Sequence, residues 1–262
     1  MVTPSTLKIQ NISFQYPGNR ILNQVDFEVQ AGEIFGIIGP NGSGKTTLLR
    51  NINGLLSPLK GEILIEGKNI HRLSIQQRAR LIASVPQAKE LPANFTAWDV
   101  VLLGRTPYLQ WSGTPTDKDK QLTQEAMQAT NTWQLRERFI NELSGGEQQR
   151  LLLARAITQA TPILLLDEPI THLDLEHQVS ILKQIQQLVQ EKHLAVIITL
   201  HDLNWAAQFC HRIGVLSQGE LIAQGEPQQV LEEDLLSRVY QTPVKIMPYP
   251  GNGKPLVLPH HF

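Results

Sequence analysis

The sequence has little cysteine, almost no net charge and no long hydrophobic run, and each shortage excludes a class of protein. Its 262 residues include one cysteine, Cys210, so no disulfide can form within the chain, which is typical of a reducing cytosol. A formal net charge of −1 gives no electrostatic reason to expect nucleic acid as a partner. The longest apolar runs, Ile163–Leu166 and Leu194–Leu200, are too short to span a membrane and suit buried strands.

Other familiar features are missing as well. The N-terminus has no basic and apolar leader, so we expect no signal peptide. No internal repeat or low-complexity tract is present. A hydrophobic content of 41% is ordinary for a globular protein, and the length suits one large or two small domains. Cys210 lies in an amphipathic stretch, where we expect a small packed side chain rather than a nucleophile.

One segment, Gly39-Pro40-Asn41-Gly42-Ser43-Gly44-Lys45-Thr46, fits the phosphate-binding pattern G-x-x-x-x-G-K-[ST]. An apolar strand is predicted before it, over Glu33–Ile38, and a helix after it, from Thr47 to about Gly54. Glycines let backbone N–H groups approach phosphate oxygens, and the helix N-terminus adds partial positive charge. Lys45 is expected on the β- and γ-phosphates, the Thr46 hydroxyl on Mg²⁺, and Thr47 beside the nucleotide.

Before this loop, alternating apolar residues from Leu7 to Val29 predict antiparallel strands around a Pro17-Gly18-Asn19 turn. Tyr16 stands just before that turn. Its ring is either a strand-end aromatic in the core or a platform for the nucleotide base, and the pattern leaves both open.

The next part of the chain predicts strands over Gly61–Gly67 and Leu81–Pro86, a helix over Ser74–Arg80, and Gln87 at a strand end. From Ala88 to Asn141 the composition changes to prolines and polar turns. Helices are predicted there over Trp98–Leu103 and Leu122–Leu135, which together indicate a small helical insertion. Tryptophans 98, 111 and 133 are expected to be core or interface anchors.

The turn Leu143-Ser144-Gly145-Gly146-Glu147 opens another predicted helix. Ser144 and Glu147 have the spacing of a capping box. A cap does not need paired glycines, each of which costs about 1 kcal/mol against alanine in a helix. Bare backbone at a helix N-terminus suits a phosphate, so the turn predicts a second phosphate-binding element.

Two further strands end in residues suited to phosphoryl chemistry. Ile163–Asp167 is followed by Glu168, which predicts Asp167 on the Mg²⁺ side and Glu168 as the base for an attacking water. The strand Ala195–Leu200 is followed by His201, a candidate for contact with the γ-phosphate at the carboxyl edge of a parallel sheet. Between them, apolar residues at helical spacing from Leu175 to Val189 predict a crossover helix.

After these strands, Ile213–Leu216 and Glu220–Ala223 predict a hairpin. The tail after Thr242 is rich in Pro and Gly, and His260 and His261 near its end are expected to be mobile. His260 and His261 are too few there to indicate a metal site.

Taken together, these motifs resemble one family, the ATP-binding subunits of ABC transporters, over nearly the whole chain. The matching residues follow the family order: Tyr16, Walker A Gly39–Thr46, Gln87 of the Q-loop, signature Leu143–Glu147, Walker B Ile163–Asp167, Glu168, Asp174 of the D-loop, and His201 of the switch. The resemblance implies an α/β fold with a P-loop NTPase (RecA-like) core, an antiparallel β subdomain and an inserted α-helical subdomain. The implied bounds are 1–87 and 143–225 for the core with the β subdomain, 88–142 for the helical subdomain, and 226–262 for a C-terminal extension.

The same resemblance implies a mechanism with ATP and Mg²⁺. Two copies would sandwich two ATP molecules head to tail, with Asp174 near the shared site. One copy would supply the residues of the ATP site: Lys45, Thr46, Gln87, Asp167, Glu168 and His201. The other copy would supply Ser144 and Gly146 to the γ-phosphate. Catalysis is thereby assigned to Glu168, His201 and Gln87, and the metal to Thr46, Gln87 and Asp167. Further partners would be integral membrane permease subunits and, indirectly, a substrate-binding protein, with the chain peripheral on the cytoplasmic face of the cell membrane.

Within the family, the chain looks most like importers of iron–siderophore, haem and cobalamin. The residues that carry this likeness are Thr171–Leu175 with His177-Gln178, Gly104–Tyr108 with Trp111, Glu147 in place of Gln, and the tail Pro255–Pro259. Thr171, His172 and Ile170 depart from the common pattern. Importers of zinc, manganese or molybdate share much of the same sequence, so the cargo stays open.

Two other functions compete with transport. A non-transport ABC ATPase of DNA maintenance or translation is disfavoured by a single Walker A motif, by the lack of long coiled-coil heptads and by the lack of a basic face. A nucleotide sensor without turnover is disfavoured by the presence of Glu168 and His201.

Overall fold

The fold is taken from a computed structural model that describes residues 7–87, 91–109, 113–171 and 173–260. Three residues named above, Trp111, His172 and His261, lie outside these ranges. In chain order, the strands are β1 (Leu7–Tyr16), β2 (Asn19–Val29), β3 (Ile34–Ile38), β4 (Lys60–Ile65), β5 (Lys68–Asn69), β6 (Ile82–Val85), β7 (Ile163–Asp167), β8 (Ala195–Thr199), β9 (Arg212–Ser217), β10 (Glu220–Gly225), β11 (Val244–Pro248) and β12 (Pro255–Pro259). The predicted strands are confirmed, with ends that differ by a residue or two.

The helices are α1 (Lys45–Ile52), α2 (Ile75–Ala79), α3 (Ala97–Leu102), α4 (Asp117–Ala129), α5 (Gly145–Thr158), α6 (Leu175–Lys192), α7 (Leu203–Phe209), α8 (Pro227–Val230) and α9 (Glu233–Tyr240). Short 3₁₀ turns connect several of them. Across the ranges that the structure describes, no helix is both long and apolar enough to cross a bilayer.

The central sheet has the strand order β10-β9-β3-β8-β7-β6, in which β10 alone pairs antiparallel. Strands β3, β7 and β8 are buried along their whole length, as expected for a parallel sheet covered on both faces. A second sheet, β2-β1-β4-β5, is antiparallel where its pairing is recorded. The α/β class and the antiparallel β layer are therefore confirmed.

The buried apolar side chains form three clusters. One lies between the central sheet and helices α5 to α9, and a second lies between the two sheets and α1. The third joins α3, α4 and the signature helix α5, and it includes Val100, Met127 and Leu151. The helical insertion thus has a small apolar core of its own that α5 shares.

The predicted helix over Leu122–Leu135 was wrong at both ends, since α4 spans Asp117–Ala129. The true start is set by a capping box in which Thr116 and Asp119 bond each other's backbone N–H groups. The true end is set by Asn131, whose φ of 54° cannot continue a helix.

The tail after Thr242, for which the sequence predicts no strands, contains β11 and β12, which form an antiparallel ribbon. The Asn204 side chain of α7 bonds the N–H and the carbonyl of Val257 at 2.7 and 3.1 Å, and so fixes the ribbon to the core. Proline is tolerated in these strands because a two-stranded ribbon consists only of edges.

Candidate active site

Strand ends place the predicted site residues at one edge of the central sheet. In a parallel sheet the carboxyl ends of the strands meet, and ligands of α/β folds bind there. The phosphate loop follows β3, Gln87 follows β6, Glu168 follows β7 and His201 follows β8. A cleft of about 490 Å³ at this edge is lined by Ile21, residues 41–47, Gln87, Glu168 and His201.

The phosphate loop needs its first and last glycines for steric reasons. Gly39 adopts φ 152°, and a Cβ there would stand 2.0 Å from the Leu216 carbonyl oxygen. Gly44 adopts φ 107°, in the region that favours glycine, and it caps α1. Helix α1 begins at Lys45, two residues before the predicted start, so the N–H groups of its first turn point into the cleft without an intrahelical partner.

Two polar groups of the loop suit a phosphate. Lys45 is buried, and its Nζ donates to the carbonyls of Gly39 and Pro40 at 2.8 and 3.1 Å. Burial lowers the pKa of Lys45, while the charges of Glu168 and Asp167 oppose that shift. Among the described residues, the buried hydroxyl of Ser43 finds no hydrogen-bond partner, which marks a polar atom suited to a ligand.

Asp167 is oriented by hydroxyl groups. Its Oδ1 accepts hydrogen bonds from Thr199 Oγ1 at 2.8 Å and from Thr46 Oγ1 at 3.5 Å. Thr199 also accepts from the Glu168 N–H at 2.9 Å, so one buried hydroxyl positions both acids. Sequence reasoning missed Thr199, although a lone polar residue in an apolar strand two positions before His201 was a usable signal.

The Glu168 carboxylate is held on both oxygen atoms. His201 Nε2 contacts Oε1, and Gln87 Nε2 donates to Oε2 at 2.5 Å. The backbone of Glu168 adopts φ 50°, which is uncommon for a residue other than glycine and is found at functional sites. The carboxylate is buried while the His201 side chain is 41% exposed, so an acid with little access to bulk water faces the open cleft.

The signature turn has the predicted capping box. The Glu147 carboxylate accepts from the Ser144 N–H at 2.8 Å, and Ser144 Oγ accepts from the Glu147 N–H at 3.3 Å. Burial opposes a low pKa for Glu147, but the hydrogen bonds from Ser144 prevail, and the pKa is lowered. A Cβ on Gly145 would meet open space, whereas one on Gly146 would stand 2.6 Å from the His177 ring.

The remaining candidate residues lie outside the cleft walls within one chain. Ser144 and Gly146 begin α5, and Asp174 is the exposed N-cap of α6. Tyr16 is 38% exposed and packs edge-on against Phe14, with ring centroids 5.0 Å apart, so one side of its ring is open to solvent. The described part of one chain therefore brings together the triphosphate-facing residues but not the signature residues.

Comparison with known proteins gives a consistent picture. Residues 22–171 match the family model described as ABC transporter. The chain is 44% identical over 244 residues to the hemin import ATP-binding protein HmuV of Nocardia farcinica, covering 93% of this chain and 83% of that protein. It is 39% identical over 254 residues to the cobalamin import ATP-binding protein BtuD of Halobacterium salinarum. That match covers 97% of this chain, which spans 63% of the halobacterial protein's length.

Solved structures agree with the sequence matches. A putative metal-chelate type ABC transporter in an inward-facing conformation superposes with a TM-score of 0.86 at 28% identity, covering 98% of each chain. A dimeric bacterial ABC transporter cassette superposes with a TM-score of 0.74 at 29% identity, covering 84% of this chain and 98% of that one.

Proposed function

The chain belongs to the family of ABC transporter ATP-binding subunits, and from that premise we propose that it hydrolyses ATP to drive import of a metal chelate through a membrane permease. The observation that carries the catalytic part is the convergence of Lys45, Glu168, Gln87 and His201 on one cleft beside the phosphate loop.

Glu168 acts as the general base in this proposal. Water attacks the γ-phosphorus, the bond between that phosphorus and the β–γ bridging oxygen breaks, and the water proton passes to Glu168. Lys45 and the N–H groups of the loop stabilise the charge that develops on the phosphate oxygens. His201 and Gln87 contact the carboxylate and so fix the direction of its lone pairs.

The site also fits Mg²⁺. The Thr46 hydroxyl and the Asp167 carboxylate lie 3.5 Å apart at the cleft, and hard oxygen donors with a single carboxylate suit an Mg²⁺ that completes its shell with phosphates and water. Thr46, Asp167 and, at the strand end beside them, Gln87 would hold the ion. When bound, the ion would neutralise charge on the β- and γ-phosphates.

The active unit is a homodimer. Support comes from the two phosphate-binding elements of one chain, which belong to different surfaces, and from the dimeric cassette among the similar structures. In such a pair, Ser144, Gly146 and Asp174 of one copy complete the site of the other, and Tyr16 stacks on the base. The core, helical insertion and C-terminal extension divide at the bounds given by the motifs.

The permease docks in a groove between the core and the helical insertion. This groove of about 380 Å³ is lined by α2, the residues before Gln87, and the α5 face that follows the signature turn. Leu55 and Ile75 on its rim are 71% and 78% exposed, an unusual display of large apolar side chains that suits a protein partner. A partner seated there would contact Pro86, which precedes Gln87, and the signature helix, at the cytoplasmic face of the membrane.

The cargo is proposed from the relatives. These relatives are named for import of hemin, cobalamin, petrobactin and iron(3+)-hydroxamate, each a metal chelate or a metal chelator. A binding protein outside the membrane would deliver the chelate to the permease. Zinc, manganese or molybdate import is the alternative, and transport assays with the partner permease separate these cargoes.

The decisive experiment on the cassette itself is Glu168→Gln. We expect ATP binding and ATP-dependent dimerisation to persist while hydrolysis falls by about 10²–10⁴-fold, the usual contribution of a general base. Glu191→Gln, which alters an exposed acid near the far end of α6, is the matched control and should keep full activity. Near-normal hydrolysis by Glu168→Gln would remove Glu168 as the base, and recovery of the chain with ribosomes or DNA would favour a non-transport ATPase.

A further inference from the structure

Two adjacent residues in the first turn of α6, His177 and Gln178, contact both functional surfaces of one chain. The His177 ring lies against Gly146 in the signature turn, so close that a Cβ on this glycine would be 2.6 Å from the ring Cδ2. The contact with His177 of the same chain therefore explains why position 146 is a glycine. The imidazole is oriented from behind, since its Nδ1 lies 2.6 Å from Asp174 Oδ1.

Gln178 uses both ends of its side-chain amide. Its Nε2 donates to the Leu173 carbonyl at 3.0 Å and to the Ile170 carbonyl at 3.4 Å, both in the segment after Glu168. Its Oε1 accepts from the indole Nε1 of Trp205 at 3.0 Å. A half-buried amide with its donor and its acceptor both satisfied holds its partners in fixed relative positions.

Trp205 leads back to the hydrolysis site. It belongs to α7, the helix that begins two residues after His201. Its backbone N–H donates to the side chain of the N-cap residue Asp202 at 3.2 Å. The segment that Gln178 holds is tied to the base as well, because the Thr171 hydroxyl donates to Glu168 Oε2 at 3.4 Å. A shift of His201 therefore reaches Gln178 through α7, and a shift of Glu168 reaches it through Thr171 and the neighbouring Ile170 carbonyl.

We propose that His177 and Gln178 are positioning residues that couple the residues around Glu168 and His201 to the signature turn of the same chain. Gln178 moves with His201 and Glu168, and His177 transmits that movement to Gly146. The state of the ATP bound by one copy would then set how well the same copy's signature turn engages the ATP of its partner. This inference rests on the proposed shared-site dimer. It adds that the coupling runs from the nucleotide bound by one copy to the signature turn of the same copy.

Separate substitutions break the two ends of the Gln178 link. Trp205→Phe removes the indole donor and keeps an aromatic ring, whereas Gln178→Glu keeps an acceptor for Trp205 and loses the donors to residues 170 and 173. Either variant should lower kcat about fivefold, the effect of one neutral hydrogen bond, and bring the Hill coefficient for ATP close to 1. ATP affinity of the single chain should stay within twofold, which separates coupling from misfolding. Trp98→Phe, in the helical insertion, is the matched control.

The direction is tested in a tandem-linked dimer of full chains that carries Glu168→Gln in one half, so that only the other half hydrolyses its ATP. His177→Ala in the Glu168→Gln half weakens the signature turn that serves the live site, and hydrolysis should fall at least fivefold. His177→Ala in the live half should change hydrolysis by less than twofold.

Equal slowing in both placements, or no slowing in either, would overturn the inference. Unchanged Hill coefficients in both Trp205→Phe and Gln178→Glu would do so too. If instead the linked dimer of two wild-type halves fails to hydrolyse ATP, the proposed function itself fails, and that wild-type parent distinguishes the two failures.

Discussion

Replacing Asp119 by asparagine should destabilise the helical insertion by several kilocalories per mole, because Asp119 is the counter-charge of a buried arginine. Arg105 and Asp119 are each 4% exposed, and Arg105 Nε donates to Asp119 Oδ1 at 2.8 Å. The other oxygen, Oδ2, accepts from the Thr116 N–H and hydroxyl at 2.9 and 2.6 Å. Arg105 also donates to the Thr158 carbonyl and stacks on Tyr108, so it cannot turn to solvent without breaking these contacts.

Two arguments give the size of the expected loss of folding stability. Burial would raise the pKa of Asp119, but hydrogen bonds from Thr116 and Arg105 and the charge of Arg105 lower it to about 2. Against an ordinary aspartate, that shift corresponds to about 2 kcal/mol of stability at neutral pH. Removing one partner of a buried pair costs about 3–5 kcal/mol because the other charge stays buried. We therefore expect Asp119→Asn to lose about 2–4 kcal/mol.

The assay is thermal and urea unfolding followed by far-UV circular dichroism, with hydrogen exchange over α4 to locate the loss. For a chain of this size the expected fall in Tm is about 4–16 °C, at about 2–4 °C per kcal/mol. Asp117→Asn is the matched control: this fully exposed acid on the same turn lies 3.4 Å from Lys120, and its loss should cost less than about 0.5 kcal/mol.

The sign of the pH dependence gives an independent check. Because the pKa of Asp119 is lower in the folded chain, its contribution is present above about pH 4 and is lost as the pH falls through about 2. The stability gap between wild type and Asp119→Asn should therefore narrow in acid. A loss below about 1 kcal/mol, or a gap that does not change with pH, would refute the buried-pair reasoning.

Three further outcomes follow from the proposed dimer and its permease. Mixing Ser144→Ala with Lys45→Ala chains should restore one intact site per heterodimer and raise ATPase activity above that of either variant alone. A mixture no more active than its parts would count against a shared site or require two working sites. Leu55→Asp with Ile75→Asp should abolish co-purification with the permease and leave the ATPase activity of the free chain within twofold, whereas retained co-purification would place the docking surface elsewhere. Tyr16→Ala should weaken ATP binding by about 1–3 kcal/mol in a titration while Tyr16→Phe keeps it, and an unchanged affinity would return Tyr16 to a packing role.

The sequence predicts that the candidate site residues lie together because strand ends are local signals. Each of Gln87, Glu168 and His201 directly follows an apolar run, and parallel strands bring such positions to one edge without further information. The same local logic places the start of α5, since Ser144 and Glu147 are three residues apart. This reasoning fails for α4. Its apolar face was recognised, but the Thr116–Asp119 capping box was not, because aspartate stands there in place of glutamate.

Side-chain partnerships far apart in the sequence could not be predicted. Nothing in the sequence around Arg105 names Asp119 as its partner, and the link from Gln178 to Trp205 spans 27 positions. The tail shows another limit. The sequence predicts no strands after Thr242, whereas β11 and β12 pair there, and Val257 bonds Asn204 from another part of the fold.

The contacts within one chain also give a physical reason why hydrolysis would be delayed until ATP is bound. Both oxygens of Glu168 are in contact with donors, His201 on one and Gln87 on the other, and Lys45 is satisfied by two carbonyls of its own loop. A carboxylate offers about four lone-pair sites on its two oxygens, and release of one donor would free a further site for the proton of an attacking water. A γ-phosphate that draws His201 and Lys45 to itself would provide that release, and the resulting shift of His201 is the motion that Trp205 and Gln178 are placed to carry. Activation of the base and presentation of the signature turn would then be two results of one displacement, so a chain would offer its signature turn only when its own ATP is in place.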